Sequence, residues 1–304
     1  MAMEILVQAL SLVAVIAVGQ FVRAIGWVSA EDFPIFSHLV IKVTLPAALI
    51  VSFNQFELTG SLLILSVIGF ALTGLQMVIG RFISPRGDRI DRAFSVMNSG
   101  SYNVGAFAVP YLAGIAGPQA VVYASMFDVG NVVNAAGFSR AWAISLAAPE
   151  RAGGVGTFLQ RMFSSVIFDV YIALVIMRLL DLHVPAPVLP FIETVAAANT
   201  FLAMLMIGIG LKIVLVRSKY LAAAKHLAVR YGTAVLAGLA TWYLLPAADE
   251  VRAVLCAMYF APLASMIPGF THEIRGDVQL SSFIASASIL VAVVVMPVLL
   301  LVLL

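Results

Sequence analysis

The sequence predicts an all-α membrane protein of ten spanning helices, arranged as two inverted five-helix repeats. Three observations predict it: an apolar composition beyond what a soluble fold buries, ten apolar segments of spanning length, and a one-sided distribution of basic residues. Of 304 residues, 62% are hydrophobic and 11% charged, with a mean hydropathy of +1.08. Soluble domains run at roughly 45–50% apolar and about 25% charged, so lipid has to be the solvent for much of this chain. A formal net charge of +2 offers no basic footprint, and no nucleic-acid partner is expected. Cys256 is the single cysteine, which excludes an internal disulfide and a multi-cysteine metal site. Within its apolar run it reads as a small buried hydrophobe.

A spanning helix needs roughly 20 mostly apolar residues. On that measure the spans fall at 4–27, 34–53, 60–81, 92–115, 118–140, 160–180, 188–211, 222–245, 250–271 and 278–303. The first could pass for a signal peptide, with Val28-Ser29-Ala30 after an apolar run. Met1-Ala2-Met3-Glu4 lacks the positive n-region, however, and the run continues through Phe21, Val22 and Trp27, so it reads as a retained span. The connections are short and carry nearly all the charge.

The positive-inside rule sets the orientation. With the N-terminus outside, the cytoplasmic loops hold Arg23; Arg81, Arg86, Arg89 and Arg92; Arg140, Arg151 and Arg161; Lys212, Arg217, Lys219, Lys225 and Arg230; and Arg275. These are fourteen of the 17 basic residues; Arg178 and Arg252 fall outside, and Lys42 within a span. The expectation is a multi-pass protein of the cytoplasmic (inner) membrane with both termini outside.

Five spans per half force the halves into opposite orientations. At an offset of 156, segment 33–53 meets 189–209 without a gap, pairing Pro34 with Pro190, Thr44 with Thr200, Ala47 with Ala203 and Leu49 with Leu205. The fourth and ninth spans stand apart. The fourth, RAFSVMNSGSYNVGAFAVPYLAG, sets Asn98, Ser99, Ser101, Tyr102 and Asn103 beside three glycines and Pro110. The ninth, AMYFAPLASMIPGFTHEI, carries Pro262 and Pro268. Proline removes a backbone donor and clashes with the preceding turn, so each span is expected to break or kink mid-membrane. Irregular backbone at that depth needs protein or a watery cavity around it, and matched interruptions in inverted halves point to a transporter binding site. The bland alternative is that these prolines merely kink packed helices.

With these residues in view, the chain resembles the auxin efflux carrier family, which includes the plant auxin exporters and bacterial carriers of small organic acids. The resemblance covers essentially the whole chain. It rests on Gly19, Arg23 and Gly26, on Leu45-Pro46-Ala47, on Asn103 seven residues before Pro110, on Pro262 and Pro268 six apart, and on Asp277, Leu280, Ser281, Ser286, Ser288 and Pro297. It implies the fold of the bile-acid/sodium symporters, with an elevator motion and a homodimer through the scaffold helices. The implied scaffold is 1–59 and 148–215; the implied transport domain is 60–147 and 216–304, with the fourth and ninth spans crossing at their breaks. The short loop near 148–159 lacks the long insert of many plant members, and Leu263 stands where plant carriers have a polar residue. Both departures argue against auxin as cargo.

The restarted half-helices of crossing broken spans present unpaired N–H groups and a partial positive charge, which suits an anion. Proline at a restart fits, because its missing N–H is an orphan there anyway. By spacing and by the resemblance, Asn103 hydrogen-bonds a carboxylate near Pro110, Pro262 and Pro268. Ser99, Tyr102 and Ser265 complete the pocket or simply hydrogen-bond between packed spans. No Lys or Arg lies in either broken segment, so the site is not expected to be a fixed ion pair.

Asp128 lies mid-span on the fifth helix with Asn131 one turn on and Asn134 nearby. It is either the carrier of a coupling H⁺ or Na⁺ or a structural partner for another span. Asp169 and Lys42 are weaker cases of the same kind, His38 and Glu193 read as solvated span ends, and Asn54 is a candidate for the substrate path. The expected function is a secondary transporter of small mono- or dicarboxylates with no cofactor beyond a possible coupling Na⁺ or H⁺. The alternatives are a Na⁺-coupled bile-acid-type symporter and, remotely, an intramembrane enzyme; no HExxH, GxGD or matched intramembrane Ser/His pattern occurs, so no enzyme is expected.

Overall fold

A computed structural model describes residues 2–54, 62–211 and 217–304, and every regular element among them is helical. The first two residues of the expected third span, the basic residue Lys212 and the expected domain boundaries at 59/60 and 215/216 lie outside the described residues. Helix α1 (Ala2–Ala24) is followed by α2 (Phe33–Leu39), which passes through a π-turn at Val40–Thr44 into α3 (Leu45–Asn54). Then come α4 (Leu63–Gly80), α5 (Arg89–Ser99), α6 (Val109–Val132) and α7 (Ser139–Ala147), with π-turns at Val104–Ala108 and Val133–Phe138. The remaining helices are α8 (Val155–Met162), α9 (Val166–Leu179), α10 (Leu189–Gly210), α11 (Tyr220–Leu244), α12 (Asp249–Met258), α13 (Ile267–Glu273) and α14 (Val278–Leu303).

Among the described residues, six helical stretches are long and apolar enough to cross a membrane: Met3–Ala24, Phe33–Asn54, Leu63–Gly80, Arg89–Ala147, Leu189–Gly210 and Val278–Leu303. The protein is therefore an α-helical multi-pass membrane protein. The stretch Arg89–Ala147 has 59 residues, about 88 Å if straight, which is roughly three hydrocarbon thicknesses. It is not straight. Gly117 interrupts α6 with φ 79°, a conformation glycine adopts without strain, and Pro118 opens the next turn. The chain doubles back there, so that α5 packs on α7 and α4 on α6.

Local chemistry sets several helix starts. Asp88 accepts from the Asp91 N–H at 2.8 Å, and Asp91 accepts in return from the Asp88 N–H, a capping box that opens α5. Asp277 caps α14 through the Leu280 N–H at 3.0 Å, and Ser165 caps α9. Packing between helices relies on small residues, as expected where lipid is as apolar as the side chains. Gly19 of α1 and Gly208 of α10 each face the other's backbone, and a methyl on either would collide with it. Gly69 of α4 and Gly130 of α6 do the same for the second pair. Between α3 and α10, the Thr44 hydroxyl donates to the Asn199 side-chain oxygen at 2.9 Å.

One expectation is corrected here. Arg230 was assigned to a cytoplasmic loop, but it lies in the middle of α11 and is 1% exposed. Hydropathy averages over a window and does not resolve how deep in a span a single charge sits.

Candidate functional site

The two interrupted spans are α5–α6 and α12–α13. The first leaves the helix at Gly100 and rejoins it at Val104, so the break lies ahead of Pro110 rather than at it. Pro110 occupies the first turn of α6 behind the π-turn. Ser101 holds φ 72°, in the left-handed region that a non-glycine residue enters at a cost of about 1 kcal/mol or more. The second break runs from Tyr259 to Met266, and Pro268 sits in the first turn of α13. The breaks touch directly, because the Asn103 N–H donates to the Pro262 carbonyl at 2.8 Å.

Each break is pinned by a side chain from a later helix. Asn131 of α6 accepts from the Tyr102 N–H at 2.8 Å and donates to the Tyr102 carbonyl at 2.9 Å. Ser288 of α14 accepts from the Leu263 N–H at 2.9 Å. Irregular backbone buried at this depth thus has its polar groups met by protein.

Beside the crossing lies a cavity of about 260 Å³. Asn103, Ser265, Pro268, Ser282 and Ser286 supply its polar side together with the α13 turn. Phe33, Met206, Ile207, Leu263 and Ile289 supply apolar walls, and Pro34 and Gly210 stand with Glu31 toward one end. Among the described residues no Lys or Arg lines it. An amide and several hydroxyls in an apolar pocket orient a small polar head against an apolar wall.

The sequence-derived candidates divide accordingly. Asn103, Ser265 and Pro268 line the cavity. Pro262 is buried next to it and contributes its carbonyl to the crossing. Tyr102 lies behind the crossing, with its hydroxyl accepting from the Gln76 amide at 2.7 Å. Ser99 also faces away, donating to the Ser95 carbonyl at 2.7 Å and standing 3.1 Å from the His226 Nδ1. The Pro110 carbonyl accepts from the Thr200 hydroxyl at 3.2 Å, which ties the crossing to α10. Asn54 accepts from the Val184 N–H at 2.8 Å and joins the end of α3 to the α9–α10 connection, away from the cavity.

Asp128 and Asn131 are brought together. Asn131 donates to one carboxylate oxygen of Asp128 at 2.6 Å, and the Tyr171 hydroxyl to the other at 2.8 Å. Gly105, in the π-turn that opens α6, lies close enough to interact with the Asp128 carboxylate. Asp128 therefore stands near the restarted end of the first broken span, one of the two ends expected to face the cargo. A residue of the chain already occupies the first, because a buried carboxylate is drawn to free N–H groups at a helix N-terminus. Asn134 instead donates to Phe70 and Thr73 on α4. Lys42, Asp169, His38 and Glu193 are all exposed on the outer surface.

Sequence reading missed the far side of the crossing. Arg230 donates from Nη1 to the Ser101 carbonyl at 2.8 Å and from Nη2 to the Ala261 carbonyl at 2.9 Å. Its guanidinium lies 4.8 Å from the Tyr102 ring centroid, a cation–π contact. Gln76 bridges the Tyr102 and Thr233 hydroxyls at 2.7 and 2.8 Å. Among the described residues, Arg230 Nε, Gln76 Oε1 and Ser101 Oγ have no partner. The available signal was the polar stripe His226, Arg230, Thr233 and Thr241 on α11, spaced by four, three and eight residues on one helical face. Comparison of the chain with protein-family models and with curated proteins finds no match.

Proposed function

We propose that this protein is a secondary transporter of small organic anions, as the resemblance to the auxin efflux carriers implies. In this reading, mono- or dicarboxylates bind where the two interrupted spans cross. The observation that carries it is the cavity of about 260 Å³ beside the Asn103–Pro262 contact. Among the described residues its lining combines an amide and hydroxyl groups with no basic side chain, a set that holds a carboxylate loosely enough to release it.

Several contacts support the ten-span, inverted-repeat reading. Paired loop and span ends fall on the same side of the membrane in that topology: Arg23 with the end of α10, Arg140 with Glu273, Lys219 with Asp277, and Asn54 with Val184. Thr44 meets Asn199, next to the Thr200 that the internal alignment pairs with it. Asn131 and Ser288 pin the two breaks from equivalent places, each on the span following its broken one.

The cavity lies between Phe33, Pro34, Met206 and Gly210 of the proposed scaffold (1–59 and 148–215) and Asn103, Ser265 and Ser286 of the proposed transport domain (60–147 and 216–304). Its Glu31, Pro34 and Gly210 end is cytoplasmic in the proposed orientation, so this is an inward-facing state. Sliding the transport domain against the scaffold then gives alternating access by an elevator motion. A homodimer through the scaffold would shelter Lys42, which is exposed mid-span at an energetic cost in lipid.

The test is counterflow in proteoliposomes with a panel of labelled mono- and dicarboxylates, with and without pH and Na⁺ gradients. At least one carboxylate should exchange above protein-free vesicles. Absence of exchange for every carboxylate would overturn the proposal.

A further inference from the structure

Arg230 raises a question the proposed function does not answer. A guanidinium fully inside a membrane protein is costly and is normally met by a carboxylate. Among the described residues no acidic side chain pairs with Arg230. Its two nitrogens instead take the Ser101 and Ala261 carbonyls, one from each interrupted span, at 2.8 and 2.9 Å. Both carbonyls follow helix C-termini, those of α5 and α12, where the backbone dipoles concentrate partial negative charge. Ser101 adopts its positive φ at the residue whose carbonyl meets the guanidinium. The Tyr102 ring face completes the enclosure.

Carbonyl oxygens of unwound helix ends are the ligands with which membrane carriers hold coupling Na⁺. Here they hold a side chain. We propose that Arg230 is a tethered cation filling a cation site built by the two helix C-termini, so that the carrier needs no dissociable Na⁺ to assemble its crossing. The permanent charge neutralises both C-termini at once and moves with α5, α11 and α12. This goes beyond the carboxylate reading, because it assigns the far side of the crossing and removes Na⁺ from it.

The test is thermal melting of the purified full-length protein in NaCl, KCl and choline chloride at equal ionic strength, with methylguanidinium chloride as a second probe. Wild type should melt at the same temperature in all three salts. Arg230→Ala empties the site; it should melt lower in choline chloride and recover saturably with Na⁺ or methylguanidinium. Arg230→Lys, which keeps a cation within reach of the carbonyls, should stay salt-independent. If Arg230→Ala cannot be purified, Arg230→Met, of similar reach but uncharged, should melt below Arg230→Lys. A saturable Na⁺-specific rise in wild type would overturn the proposal. So would indifference of Arg230→Ala to both cations, or an Arg230→Met protein as stable as Arg230→Lys. Melting needs no cargo, so failure here counts against the tethered cation and leaves the carboxylate reading standing.

Discussion

Asn131 is the side chain on which the first break most depends, and its replacement by alanine has a calculable cost. Its amide makes three hydrogen bonds: 2.8 Å from the Tyr102 N–H, 2.9 Å to the Tyr102 carbonyl and 2.6 Å to Asp128. Asn131, Tyr102 and Asp128 are each less than 5% exposed, so water does not replace the lost partners. Double-mutant cycles in membrane proteins average about 0.6 kcal/mol per side-chain hydrogen bond, which sets a floor near ~2 kcal/mol for three. Leaving buried groups unmet costs ~1–3 kcal/mol each, which raises the ceiling. The expected loss for Asn131→Ala is about 2–5 kcal/mol. Equilibrium unfolding by SDS titration in mixed micelles reads it directly. Thr194→Ala is the control, since its exposed hydroxyl bonds only the Pro190 carbonyl one turn back, and it should stay within about 0.5 kcal/mol of wild type. A loss below about 0.5 kcal/mol for Asn131→Ala would refute the idea that this amide holds the break.

Gly130→Ala should destabilise by about 1–3 kcal/mol in the same titration, because the added methyl meets the Ser66 carbonyl and the Phe70 nitrogen of α4. Gly156→Ala, with open space around it, should be near neutral. Lys219 and Asp277, at the heads of α11 and α14 outside the spans, make an ion pair at 2.6 Å. Partial burial works to raise the Asp277 carboxyl pKa, but Lys219 and the Leu280 N–H outweigh it and hold it below the usual carboxylate range. The pair's contribution is therefore fully present above the unfolded value near ~3.9 and is lost as pH falls through the lower folded value. Lys219→Ala should cost less than ~1 kcal/mol at neutral pH, because the pair is partly solvated. Melting curves from pH 6 down to 3 should show the gap to wild type closing at the acid end.

The helical boundaries were legible because hydrophobicity changes sharply where lipid ends. The expected span at 188–211 is realised as Leu189–Gly210, and that at 278–303 as Val278–Leu303. The existence of the breaks was legible from proline and glycine, but the position of the first was not. Pro110 marks the first turn of α6, while the irregular residues 100–103 carry no proline and are held open by Asn131, 28 residues away from Asn103. Asp128 was legible as a buried charge, whereas its Tyr171 partner comes from another part of the chain. Arg230 was visible only through the periodicity of α11. A count of charges near span ends conceals such a residue, since the count treats it as loop.

The central claim is that Asn103 meets the cargo at the crossing. Asn103 lines the cavity while its backbone N–H is engaged with Pro262, so on this claim alanine removes the cargo contact and spares the crossing. A charge-assisted hydrogen bond is worth about 1.5–3 kcal/mol, or roughly 10–150-fold in affinity. Counterflow of the transported carboxylate should therefore fall at least about tenfold in half-saturation or rate for Asn103→Ala, with unchanged melting temperature and reconstitution. Wild-type counterflow kinetics in Asn103→Ala would contradict the account.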